Sequence, residues 1–475
     1  MADKGGYNPY ENRHVAKPIS DFGAFILLLK SVVGTGVLSL PLAFYFAGII
    51  NGVILLILVC IMLIHGIQLL IICMVECSRR MQIGYATFPQ AMEYSFGQGP
   101  KCFRYCSKAG GYFCDGVLGF SQFGVCVVYT VFVSANFKQL IDFYFGVADI
   151  RIYVACIGLL LIGPFLIRKL KYLIPFNIVA TILIYSGFFM MMYYVFLDMP
   201  SISERNIFFG PIELLPLFFG IAIFSITSVG VMLAIESEMS NPQHYIGWFG
   251  VLDWAILIVM ISYIFFGIVG YWRYGDKIED SISLNIPTDQ VLAQVSKGFI
   301  AMAIFLSYPL AGYVVIDIIM NHYWNKSGEL KHAFLKEELL RVGMVLLTTI
   351  TGILVPNLGP LLSLVGALTI SLLNLVFPAL IEICLYYPPE YNYGRLKWKL
   401  VKDIMYVIIG LVILVQGTVF AILSMIKEWG GGRQGDTTGA TDGTTTMDTT
   451  TVGNITTVLT TAIAEPTQEP AFRFL

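Results

Sequence analysis

The chain has 475 residues, of which 57% are apolar and only 13% charged, with a formal net charge of −2 and a mean hydropathy of +0.76. Soluble domains rarely carry so little charge. Phosphate binding would need a clustered excess of Lys and Arg, so nucleic acid is excluded as a partner and the expected surrounding is a lipid bilayer.

Residues 1–20 are polar and include Pro9 and Pro18, which argues against a cleaved signal peptide and for a cytosolic tail ahead of an uncleaved first span. In hydrocarbon every backbone N–H and C=O must be paired internally, so apolar stretches of about 20 residues read as helices. Eleven such stretches are expected, over 22–47, 51–75, 113–145, 151–167, 172–197, 212–237, 246–271, 294–320, 338–356, 359–386 and 402–426. With the N-terminus in the cytosol, the inner segments carry nineteen Lys and Arg residues and the outer loops four, the bias that the positive-inside rule requires.

An odd number of spans puts the C-terminus outside, extracellular or lumenal. The transporter domain is therefore expected over 21–426, followed by a disordered Thr-rich tail over 427–475, the composition of an exposed, O-glycosylated stalk. Asn454-Ile455-Thr456 is an N-glycosylation sequon on that side, whereas Asn325-Lys326-Ser327 falls on the inner side and is expected to stay unmodified. The nine cysteines lie in spans or near the cytosolic face. No stabilising disulfide is expected there, nor a metal site.

Transporters often unwind one helix in each of two repeats, exposing backbone groups near the middle of the membrane. Span 1 carries Gly34, Thr35 and Gly36 followed by Pro41, and span 6 carries Ser225, Thr227, Ser228 and Gly230. These are corresponding positions if spans 1–5 and 6–10 form the repeats, with span 11 extra. A half-helix starting near Gly36 offers free N–H groups to a carboxylate, and carbonyls freed around Thr227 and Ser228 suit an α-amino group. Tight helix packing by small residues is the competing explanation for both segments.

Ionisable residues within spans need an account. His65 titrates near physiological pH and suits proton transfer, and Glu236, a turn past the span 6 break, is a second coupling candidate. Lys30, Asp253, Asp317 and Glu382 receive no role from the sequence.

The segments KSVVGTGVLSLPLA (30–43), VYTVFVSANFKQL (128–140), ESEMSNPQHY (236–245), LSYPLAGYVVIDII (306–319) and LVPNLGPLLSLVGALTISLLNLVFPALIEI (354–383) resemble proton-coupled transporters of the amino acid/auxin permease family. That family belongs to the amino acid-polyamine-organocation superfamily. The resemblance implies a LeuT-like fold, with a 5+5 inverted repeat and discontinuous helices 1 and 6. It also implies symport of small neutral amino acids with protons, with Thr35 and Gly36 at the substrate carboxylate, Tyr129 facing the site and His65 linked to the proton. The chain departs from the family in span 6, where Ile226, Thr227 and Ser228 stand for Phe-Glu-Gly and Ala234 for a Pro. A secondary transporter with no cofactor other than a coupling ion, H+ on the family's pattern, is the function expected. A transport-deficient sensor, docking a cytosolic signalling partner on residues 79–112, is the alternative. An enzyme is not expected, since no span assembles a catalytic carboxylate pair, metal cluster or Ser/His/Asp set.

Overall fold

The computed structural model describes residues 7–431 apart from 14, 16–17, 33, 169, 198, 202–204, 227–228, 248, 325–332, 389–392 and 395–396. Two of the candidate substrate residues, Thr227 and Ser228, and both sequons therefore lie outside the described residues.

The first span is two helices, α1 (Asp21–Val32) and α2 (Thr35–Ala47), bent by 57° where they meet. Gly34 joins them in extended backbone, at φ −161° and ψ −152°. Pro41 inside α2 removes a further helix donor. The second span is α3 (Ile49–Met81), and the loop after it folds as α4 (Phe88–Gln98) and α5 (Lys101–Tyr105). Next come α6 (Ser107–Phe145), α7 (Ile150–Phe165) and α8 (Leu170–Phe196).

In the second half α9 (Leu215–Ile226) and α10 (Val229–Glu238) make the sixth span, followed by α11 (Val251–Tyr274), the short α12 (Ile282–Asn285) and α13 (Val291–Asp317). The chain continues through α14 (Ala333–Leu354) and α15 (Leu358–Val365) to α16 (Phe377–Leu385) and α17 (Trp398–Gly431). Between α15 and α16 the helix widens into two π segments, Gly366–Ile370 and Leu372–Val376.

Eight helices are long and apolar enough to cross a membrane, and the bent pair makes a ninth, among the described residues. The expected eleven is not reached on these criteria. At 16 residues α7 is short for a span, and α14 carries Lys336, Glu337, Glu338 and Arg341 in its first turns.

Apolar side chains face outward as well as inward, as a lipid solvent allows. Along α17 the exposed Val401, Ile404, Met405, Ile408, Leu411, Val412 and Val415 recur at helical spacing and form a continuous stripe. At the centre, α9 is buried over nearly its whole length. It packs against α2, while α1 packs against α10 and α11, so the first and sixth spans lie side by side.

Small residues allow this closeness. A Cβ added at Gly36 would lie 2.6 Å from Ser225 Cα, and one at Gly366 would lie 2.0 Å from the Gly220 carbonyl oxygen. The packing reading of the span 1 glycines thus holds for Gly36. It does not hold for Gly34, where an added Cβ meets nothing within 4 Å.

Most charges within or beside the spans are partnered. Glu382 pairs with Lys402 at 2.7 Å, and Lys402 also reaches Asp403 at 3.2 Å, fastening α17 to α16. Asp253 accepts a hydrogen bond from Gln68 at 2.6 Å. Arg341, 1% exposed, donates to the Phe165 carbonyl at 2.9 Å and pairs with Glu337.

Candidate functional site

A cavity of about 590 Å³ opens at the bend of the first span. Gly34, Thr35 and Gly36 line it, and Tyr129 faces them from α6. Thr227 and Ser228 are not described, but their flanks Ser225, Val229 and Gly230 belong to the wall. Further polar groups come from Gln122 on α6, Asn177 and Thr181 on α8, and Ser307 on α13.

The lining occupies one half of the molecule. From α1 it runs back to Leu27, but from α2 it includes nothing beyond Gly36; α6 contributes Leu118 to Tyr129, and α13 Ile304 to Val314. The cavity therefore runs from the bend toward the membrane face at which α1, α6 and α8 begin and α10 and α13 end. At that end Leu27, Val231 and Leu310 are exposed. On the other side of the bend α2 seals against α11. Phe44 is fully buried there, and a Cβ at Gly267 would lie 2.4 Å from its ring.

Local chemistry at the bend follows from the helix ends. Gly34 at the N-cap of α2 offers no side-chain cap, so among the described residues its first N–H groups are left to a ligand or to water. The Thr35 hydroxyl is buried and has no hydrogen-bond partner among the described residues. An uncapped helix start beside an unpartnered hydroxyl is suited to an anionic group.

The carbonyl ends are held differently, by a residue that the sequence reading did not single out. Tyr263 of α11 directs its hydroxyl at both the Val32 carbonyl (2.8 Å) and the Ser225 carbonyl (3.1 Å). One O–H is shared between the ends of α1 and α9, tying the first and sixth spans where each changes direction or meets the cavity. A tyrosine within the apolar run ISYIFF is the one signal of this, since a buried phenol requires a partner. The π segments, which place Ile370 and Leu373 in the cavity wall, had no signal in the hydrophobic pattern.

Neither proton-coupling candidate is part of the cavity wall, although Glu236 directly follows Ala234 and Ile235, which are. His65 packs its ring 5.3 Å from that of Tyr406 on α17. Its Nε2 is buried without a partner among the described residues. Glu236, 1% exposed, is paired with Arg13 at 2.9 Å. Arg13 in turn stacks over Tyr85 at 4.8 Å, and Ile19 exchanges backbone hydrogen bonds of 2.8 Å with Glu238 and Ser240. The segment before α1 is thus strapped to the end of α10.

Residues 17–423 match the family described as transmembrane amino acid transporter protein. The chain is 32% identical over 424 residues to the proton-coupled amino acid transporter-like protein pathetic of Drosophila melanogaster, covering 89% of each chain. It is 29% identical over 418 residues to the amino acid transporter AVT3C of Arabidopsis thaliana, covering 84% of this chain and 89% of that one. Among solved structures, the nucleobase-cation-symport-1 family transporter Mhp1 in its closed form aligns with a TM-score of 0.48 at 12% identity, covering 91% of this chain and 96% of that one. A manganese transporter of Eremococcus coleocola aligns with a TM-score of 0.46 at 13% identity, covering 93% and 92%. With a family match across residues 17–423 and a relative 32% identical over 89% of the chain, the protein belongs to the transmembrane amino acid transporter family.

Proposed function

We propose that the chain is a proton-coupled carrier of small neutral amino acids that works by alternating access on a LeuT-like inverted repeat. The observation that carries this reading is the cavity at the bend of the first span, with uncapped N–H groups and the free Thr35 hydroxyl at one wall. The substrate carboxylate sits at Gly34, Thr35 and Gly36, Tyr129 covers it, and the α-amino group turns to the span 6 segment at Thr227 and Ser228. With the N-terminus in the cytosol, a cavity open at the start of α1 and sealed beyond the bend is an inward-facing state. Coupling to protons is supported by the similarity to the Drosophila proton-coupled amino acid transporter-like protein. His65 and Glu236, neither of them in the cavity wall, act on it through the helices that they hold, Glu236 from the position next to the wall residues Ala234 and Ile235.

The test is uptake of labelled amino acids by the full chain in liposomes, with the outside at about pH 5.5 and about pH 7.5. Uptake is expected to rise as the outside pH falls and to need no sodium. Sodium-dependent uptake insensitive to pH would overturn the coupling, and binding without flux would instead establish the sensor alternative with its cytosolic signalling partner.

A further inference from the structure

We infer that Lys30 is the charge filter of this cavity: a specificity-determining residue in the passage between the bend and the mouth that admits zwitterionic and anionic amino acids and turns away cationic ones. The inference rests on the reading of the cavity as the substrate site.

Lys30 belongs to the cavity wall together with Leu27 and Ser31. Leu27 lies three and four residues before Lys30 and Ser31, so the three share one face of α1. Lys30 stands in the last turn of α1, which ends at Val32 just before the bend at Gly34. The Cα–Cβ bond of a helical residue leans toward the helix N-terminus, so the Lys30 side chain leaves α1 on the mouth side of its Cα.

No other residue of the wall carries a formal charge: it contains no Asp, Glu, Arg or His among the described residues. Lys30 also has no ion-pair partner among them. Of the carboxylates on the surrounding helices, Glu236 is held by Arg13 and Asp253 by Gln68, while Asp115 and Asp317 are not part of the wall, although the Asp317 charge acts on Tyr313, which is. An unpaired cation between low-dielectric walls acts on every charge that passes it. At such separations its sign changes relative affinities by about tenfold or more. An ionisable side chain within a span is costly to keep there, which is why it marks a function in preference to an accident. The competing structural role is a lysine that merely extends its ammonium to the membrane surface, and that role leaves the charge ranking of substrates untouched.

The experiment uses the full chain in liposomes, with unlabelled alanine, aspartate and arginine competing for uptake of a labelled neutral amino acid. The proteins compared are wild type, Lys30→Arg, Lys30→Gln and Lys30→Glu, each scaled to monodisperse folded protein. Arginine is expected to compete about tenfold or more worse than alanine in wild type. That gap persists in Lys30→Arg, narrows in Lys30→Gln and reverses in favour of arginine over aspartate in Lys30→Glu. If a variant folds but no longer moves substrate, the shift in melting temperature caused by the same three amino acids gives the ranking. An unchanged ranking in both Lys30→Gln and Lys30→Glu would overturn the filter while leaving the carrier reading intact. A wild-type protein that neither moves nor binds any of the three would instead overturn the carrier reading itself.

Discussion

Gly34 and Gly36 stand two residues apart in one motif and do different things. At Gly36 the backbone of α2 rests on α9, with Ser225 Cα 2.6 Å from where a Cβ would be; at Gly34 that position is empty and faces the cavity. A substitution at Gly36 therefore reports on packing as well as binding. Gly36→Ala is expected to cost roughly 1 to 3 kcal/mol through overpacking. Gly34→Leu is expected to leave folding close to wild type, because its extended backbone suits any residue, and to remove substrate binding by filling the cavity. Melting curves with and without amino acid separate the two effects. Normal binding by folded Gly34→Leu would take the bend out of the site. The sequence motif made both glycines candidates, but which one meets a neighbouring helix depends on residues nearly two hundred positions away.

Helix ends decide the next level. While α2 lacks a side-chain cap, the start of α15 is capped from outside its own element. Asp280, in the loop after α11, accepts hydrogen bonds from the Gly359 and Leu358 backbone, and burial holds its carboxyl above the ordinary value. Asp280→Ala is expected to destabilise the protein by about 1 kcal/mol, as for a lost helix cap. Asp280→Asn keeps an acceptor and escapes the burial of charge. A carboxyl whose folded pKa is raised contributes stability that is fully present below its unfolded pKa and is lost as pH rises through the folded one. The Asn variant should therefore gain on wild type as pH rises, and thermal melts across that range check both statements; an Ala variant as stable as wild type at all pH values would show that the cap contributes nothing. The same view explains Tyr263, which serves the carbonyl ends of α1 and α9 as Asp280 serves the N–H end of α15. Neither partner is visible in a local pattern, because the bonds cross between elements.

At the scale of the whole molecule, the proposed orientation, with a cytosolic N-terminus and an odd number of spans, puts the Thr-rich tail on the side opposite the cavity mouth. Asn454 is then glycosylated and Asn325 is not, in a cell that glycosylates. The check is a glycosidase mobility shift, lost in Asn454→Gln and retained in Asn325→Gln; the opposite result would invert the topology and make the cavity outward-facing.

The sequence by itself determined that this protein lives in a bilayer, that its elements are helices, that the first span breaks at Gly34 to Gly36 and that it belongs to an amino acid transporter family. Those conclusions need only hydropathy, the internal pairing of backbone groups and motifs read along the chain. Only the tertiary structure decided which candidates share a site. It gathers Gly34, Thr35, Gly36 and Tyr129 around one cavity and adds Lys30 to its wall. It also sets His65 against Tyr406 and Glu236 against Arg13. An ionisable residue in a span satisfies the same insertion energetics whether it faces a cavity or a partner helix. Hydropathy reports how much such a residue costs, and only the packing of the other spans reports what it faces.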